Sequence, residues 1–106
     1  MSQDAFYDFQ WDATKARSNV QKHDVTFDEA ASVFLDPLAL TVYDEGSSRD
    51  EERWFTVGFD ARGRLLAVAH TYQITEATRA RIRIISARKA TKRERNDYEN
   101  QTEVKP

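Results

Sequence analysis

Between Arg79 and Arg95 the chain carries Arg79, Arg81, Arg83, Arg88, Lys89, Lys92, Arg93 and Arg95 against a single acid, Glu94. A guanidinium holds its charge at any physiological pH and grips phosphate oxygens through two parallel hydrogen bonds, so such a cluster suits a polyanion. Residues 79–106 hold 9 cations and 4 acids, a net +5, whereas residues 1–78 hold 7 cations and 14 acids, a net −7. The overall charge of −2 conceals this division. Because salt confines a field to about 8–10 Å, local charge rather than the total decides what binds there. The plain alternative is a solvated charged face, the usual fate of a charge run.

Placing these cations requires the elements that carry them. The segment "TRARIRIISAR" alternates Arg79, Arg81 and Arg83 with Ala80, Ile82 and Ile84, which predicts a strand with isoleucines toward a core and arginines on the other face. Arg88 and Lys89 then sit at its end. Upstream, "RLLAVAHTY" (64–72) and "RWFTVGF" (53–59) read as strands joined by "DARG", where Gly63 can take positive φ. If the last two strands are antiparallel neighbours, His70 and Tyr72 lie within cross-strand reach of the arginine row. The alternative for His70 is a half-buried ring hydrogen-bonded to backbone.

"LALTVY" (38–43) is a further strand, followed by the polar loop "DEGSSRDE". At the start, "AFYDFQW" (5–11) has period two and reads as a short strand. Asp12 can cap a helix over 13–22 whose apolar stripe holds Ala16 and Val20. "TFDE" and "TKRE" both match a capping box, opening a second helix at Thr26 and a last one at Thr91. Pro37 stops the second helix by disfavouring helical geometry at Asp36. The resulting order is a strand, a helical hairpin, a mainly antiparallel meander and a closing helix, an α+β fold in one domain over 1–100 with a flexible tail at 101–106.

Other chemistries are poorly served. There is no cysteine for a disulfide, a thiolate nucleophile or a thiolate metal site. The two histidines are far apart, and "DEGSSRDEE" lacks the spacing of a calcium loop, so neither a metal nor a cofactor is expected. His23 falls at the end of the first helix, where it favours the dipole or packs under the hairpin. Trp11 and Trp54 read as core anchors rather than base-stacking platforms. No signal peptide or membrane span is apparent, so a cytoplasmic protein is expected.

Three blocks, W-D-x-x-K-x-x-x-N-x-x-K-H from Trp11 to His23, D-E-E-R-W from Asp50 to Trp54, and R-I-I-S-A-R-K-A from Arg83 to Ala90, closely resemble the BrnT toxins of bacterial type II toxin-antitoxin systems. The likeness runs over about residues 6–99. It implies a RelE-like ribonuclease fold, RNA cleavage that arrests growth, and neutralisation by a BrnA-type antitoxin through which the complex reaches operator DNA.

RNA cleavage without a metal proceeds by attack of the 2′-hydroxyl on the adjacent phosphorus, which needs a base, an acid and cations around the phosphorane. Arg83 and Arg88 are the expected phosphorane stabilisers, with His70 as acid or base. Arg81 or Lys89 would position the backbone, with Tyr72 and Lys92 as further RNA contacts. Arg53 would complete the site, unless it is only a salt-bridged strand end. The alternative function is a non-catalytic RNA-binding or antitoxin-binding module using the same basic surface.

Overall fold

The computed structural model describes residues 6–47 and 51–101. Tail residues 102–106, and Asp50 of the D-E-E-R-W block, lie outside them. The elements are β1 (Phe6–Gln10), α1 (Ala13–His23), α2 (Phe27–Ser32), a 3-10 turn (Val33–Leu35), β2 (Leu40–Tyr43), β3 (Trp54–Phe59), β4 (Leu65–His70), β5 (Gln73–Glu76), β6 (Arg79–Lys89) and α3 (Lys92–Gln101). A mixed α+β architecture therefore holds, with six strands in one sheet among the described residues.

Local chemistry sets most boundaries as expected. The Asp12 carboxylate accepts from the Lys15 amide at 2.9 Å and opens α1. Both capping boxes close in both directions, Thr26 with Glu29 and Thr91 with Glu94. Gly63 adopts φ +83° in the β3–β4 turn, a conformation that costs glycine nothing.

The sheet order is β1-β6-β4-β3-β2, and β5 also pairs with β6. Strand β6 is the spine. Along one edge it receives β5 at its start and β4 at its end, both antiparallel, while β1 joins its other edge in parallel. Strand β5 was not expected from the sequence. Nor do all the helices share one face, for α3 lies across the other one.

One face, here the helical face, is covered by α1, α2 and the 3-10 turn over a core of Phe27, Leu66, Val68, Ile82 and Ile84. The second face carries Val57, Leu65 and Ala67 beneath Tyr98 of α3. The tryptophans are not the anchors of either cluster. Trp11 remains 36% exposed and packs edge-on against Phe27, while Trp54 is half-buried against Tyr43. Val20, expected on the buried stripe of α1, is exposed, and Asn19 takes its place.

A β-bulge interrupts β6. Ala69 pairs with Ser86 but His70 pairs with Ile84, so Ile85 is an extra residue. Before the bulge, even-numbered Ile82 and Ile84 face the helices; after it, Ala87 does. The shift turns Arg88 onto the same face as Arg81 and Arg83, where strict alternation would have set it against them. Asn19 holds the strand beyond this point. Its side chain receives the Ala87 amide at 3.0 Å and donates to the carbonyls of Ala87 and Val25 at 2.9 and 2.8 Å.

The far end of the sheet is tied by charge. Glu29 binds the Thr26 amide, Arg62 and Arg64, and Arg64 in turn binds the buried Asp60. The Thr26 amide above all, then the two guanidinium groups, lowers the Glu29 pKa from 4.5 to about 2. The unfolded chain then binds a proton more readily than the folded one, so this contribution is full above 4.5 and fades as pH falls toward 2. Thermal melts across that range are expected to show stability falling with acid, and less steeply in Glu29→Gln. An identical slope in the two proteins would contradict the assignment.

Candidate functional site

Arg81 and Arg83 project from β6 beside the β4–β5 break, on the face that α3 leaves uncovered there. Strand β1 brings Gln10 level with Arg83 and Asp8 level with Arg81, and β5 brings Gln73 opposite Arg81. Arg81, Arg83, Gln10 and Gln73, with Glu51, Glu52 and Tyr72, border one open, mostly polar concavity of about 440 Å³. Arg81 reaches the Gln73 side-chain oxygen at 3.5 Å and is otherwise solvated. Arg83 is ion-paired with Glu51, and both side chains stay a little over 40% exposed. An exposed pair of this kind exchanges readily for another anion, since its net worth is about 0–1 kcal/mol.

Arg53 stands beside the same carboxylate, 3.8 Å from Glu51, with a third of its side chain exposed. The strand-end salt bridge is thus present, and it sets Arg53 next to Glu51, a residue of that hollow. The Thr71 amide donates to the Arg83 carbonyl at 3.0 Å, so the chain stays bonded to β6 where β4 gives way to β5. That holds Tyr72 at the rim, 44% exposed.

Arg88 shares the face but is engaged elsewhere. Its two terminal nitrogens bind the two Glu94 oxygens at 2.8 and 2.9 Å, and its guanidinium lies 5.8 Å over the Phe55 ring. Glu94 also caps α3, so one carboxylate fixes the helix start and the arginine together. The fork of hydrogen bonds with Glu94 raises the Arg88 pKa, and the same bonds lower that of Glu94. Lys89 pairs with Leu66 and so points to the helical face, away from the arginine row. Lys92 is exposed at the first turn of α3.

His70 departs most from expectation. Its cross-strand partner is Ile84, which puts it on the helical face, and it is only 1% exposed. Nδ1 lies 2.8 Å from the Thr71 carbonyl, which can only accept, so Nδ1 carries the hydrogen. Burial lowers the pKa from 6.5 and outweighs the opposing bond to Thr71, leaving a neutral ring whose Nε2 accepts from Thr56 Oγ1 at 2.7 Å. Thr56 then accepts from Thr41 at 2.8 Å, which fixes a directed chain from Thr41 to Thr56 to His70. A buried, committed imidazole cannot hand a proton to groups across the sheet.

Of the residues expected to form the site, the fold brings Arg81, Arg83 and Tyr72 to one hollow with Arg53 beside its Glu51, and separates from them His70 and Lys89, which the sequence groups with the arginines. Sequence reasoning missed Gln10 and Gln73, which only the pairing of β1 and β5 with β6 delivers, and the partnership of Glu51 with Arg83. The cluster of acids at 50–52 beside Arg53 was the one available signal. Among the described residues, no group of three His, Asp or Glu side chains is placed to hold a metal ion. Nor is any helix among them long and apolar enough to cross a membrane.

Comparison with known proteins points one way. The sequence profile of the family described as "Ribonuclease toxin, BrnT, of type II toxin-antitoxin system" matches residues 11–94. The crystal structure of the Brucella abortus ribonuclease toxin BrnT is similar in fold, with a TM-score of 0.57 at 18% identity over 83% of this chain and 100% of that one. Comparison with curated protein sequences gave no match.

Proposed function

Because this chain belongs to the BrnT family, the ribonuclease toxins of type II toxin-antitoxin systems, we propose that the open concavity around Arg81 and Arg83 is where it cuts RNA. As a toxin of that kind it has RNA as substrate and an antitoxin as partner. The observation that carries the assignment is the meeting of two guanidinium groups, the exposed Glu51 carboxylate paired with one of them and two amides in one solvent-open hollow of about 440 Å³.

In this reading an RNA phosphate displaces Glu51 from Arg83 and is gripped by Arg83 and Arg81, with Gln10 and Gln73 directing the backbone. Glu51, released beside the ribose, takes the proton of the 2′-hydroxyl. The 2′-oxygen bonds to phosphorus, the bond to the 5′-oxygen breaks, the departing 5′-oxygen takes a proton from water in the open hollow, and the products are a 2′,3′-cyclic phosphate and a 5′-hydroxyl. Charge that accumulates on the phosphorane faces the two arginines, whose donors need no reorganisation. No step requires a metal. Arg53 holds Glu51 in place, and Arg88, Lys92 and the start of α3 extend the positive track along the neighbouring backbone. His70 serves the fold of this region rather than the proton transfers.

The sheet and flanking helices fit the RelE-like class, and the antitoxin is of the BrnA type, binding operator DNA in complex with the toxin, in the cytoplasm. The Arg83–Glu51 pair supports a simple mode of inhibition, since an antitoxin Asp or Glu would occupy the guanidinium as Glu51 does. The test is controlled induction with and without the neighbouring reading frame, followed by mapping of RNA ends. Growth arrest with new 5′-hydroxyl ends, reversed by the neighbour, is expected. New 5′-phosphate ends, or arrest without cleavage, would refute the mechanism.

A further inference from the structure

Behind the arginine face, on the helical side of the sheet, lies a second hollow of about 310 Å³ that the cleavage chemistry leaves unused. Its walls are mostly flat rings, Tyr7, Phe34, Trp54 and Tyr72, with the buried His70 and Ile82 at the floor and the exposed Thr41 at the edge. Phe34 meets Tyr7 at 5.8 Å and His70 at 4.9 Å, both edge-on, so the rings form a continuous lining. The volume is at the low end for small-ligand sites, which run to about 300–1,000 Å³, and suits one planar group.

Two features single out the occupant. Tyr72 borders both this hollow and the phosphate-facing one, so the two sites are separated by one side chain. The directed chain that ends on neutral His70 spends the Thr41 hydroxyl hydrogen on Thr56, and the Thr41 oxygen therefore offers the hollow only acceptor lone pairs. An aliphatic side chain placed here would cover that solvent-facing acceptor without offering it a donor. A nucleobase satisfies both demands, since it stacks on aromatic rings and carries N–H donors on its edge.

We propose that this aromatic hollow holds one unstacked base of the RNA whose phosphate lies on Arg81 and Arg83, and that Thr41 reads a donor on its edge. This rests on the assignment of the arginine hollow as the cleavage site. It makes Thr41 a specificity-determining residue and Tyr72 the divider over which the nucleotide bends. The closing role of His70 is to keep Thr41 oriented, because a protonated ring would donate to Thr56 and reverse the chain.

The experiment compares the four nucleoside 5′-monophosphates with ribose 5-phosphate on the intact protein, following the Trp54 indole N–H by NMR, and then maps RNA ends in Thr41→Val. At least one monophosphate is expected to bind about ten-fold or more tightly than ribose 5-phosphate, as stacking of one base provides, and to shift the Trp54 signal. Thr41→Val should keep ribose 5-phosphate affinity, which reports an intact fold, yet change the ranking of monophosphates and the bases found at the cut. Equal affinities with Trp54 unmoved would overturn the inference, as would an unaltered cut pattern in Thr41→Val. So would a variant that keeps its pattern but escapes the antitoxin, which would give the hollow to the protein partner. If Arg83→Ala still cleaves normally, the parent assignment fails instead.

Discussion

Arg83→Ala is expected to lower RNA cleavage by about 10²–10³-fold and abolish growth inhibition, while the protein melts within a few degrees of the parent. The kinetic figure follows from removing one preorganised donor to a developing anion, a loss of about 3–4 kcal/mol of transition-state stabilisation. The structural cost is small because the side chain is 43% exposed and its ion pair with Glu51 is solvated. A lysine at the same position keeps the charge but loses the planar fork, so Arg83→Lys should fall between the two.

Glu51 sharpens the case. As the counterion of Arg83 it competes with substrate, and as the base it is needed for turnover. Glu51→Gln should therefore lower KM for RNA and lower kcat together. A faster enzyme would make Glu51 a mere blocking group, and an unchanged one would remove it from the site. Should Arg83→Ala melt far below the parent, its loss of activity would say nothing about catalysis, which is why the lysine variant and the melt belong to the same measurement.

The parts of this molecule that short-range chemistry dictates were legible in the sequence. Both capping boxes, the Asp12 cap, the Gly63 turn and the period-two strands follow from neighbours within four residues of each other. The parts set by long-range pairing were not. Strand β5 is Gln-Ile-Thr-Glu, exposed throughout, and exists as a strand only because β6 offers it hydrogen bonds. The side of the sheet chosen by His70 depends on β4 pairing across the bulge, which no alternation pattern announces. Arg88 shows the same effect from the other direction, since one extra residue at Ile85 carries it onto the arginine face. The candidate site was thus half visible: its cations by type and spacing, its acidic and amide partners only by topology.

Asn19 is where the largest effect on stability is expected. In sequence it is a polar residue on a helix, four before His23, with no partner in view. In the fold it is 5% exposed and stands where β1 has ended, since β1 reaches only Gln10 opposite Arg83. The edge of β6 at Ala87 would be left with bare amide and carbonyl groups, and the Asn19 side chain supplies one donor and one acceptor in the arrangement a neighbouring strand would offer. Its second N–H binds the Val25 carbonyl and ties the loop after α1 to the same point.

Asn19→Ala removes all three bonds and leaves buried backbone groups of Ala87 and Val25 unmet, each worth about 1–3 kcal/mol. Allowing for partial relaxation, a loss of about 3–4 kcal/mol is expected, a large share of the roughly 5–15 kcal/mol a domain of this size possesses. At about 4–8 °C per kcal/mol the midpoint should fall by on the order of 10–30 °C. Asn19→Asp should come close to it, because a carboxylate accepts from the Ala87 amide but cannot donate to either carbonyl. Urea titration with an unchanged m-value would confirm that the native state itself is weakened. A loss under about 1 kcal/mol would mean that water replaces the amide, and that the register of β6 past the bulge, with Arg88 on it, is fixed by β4 alone.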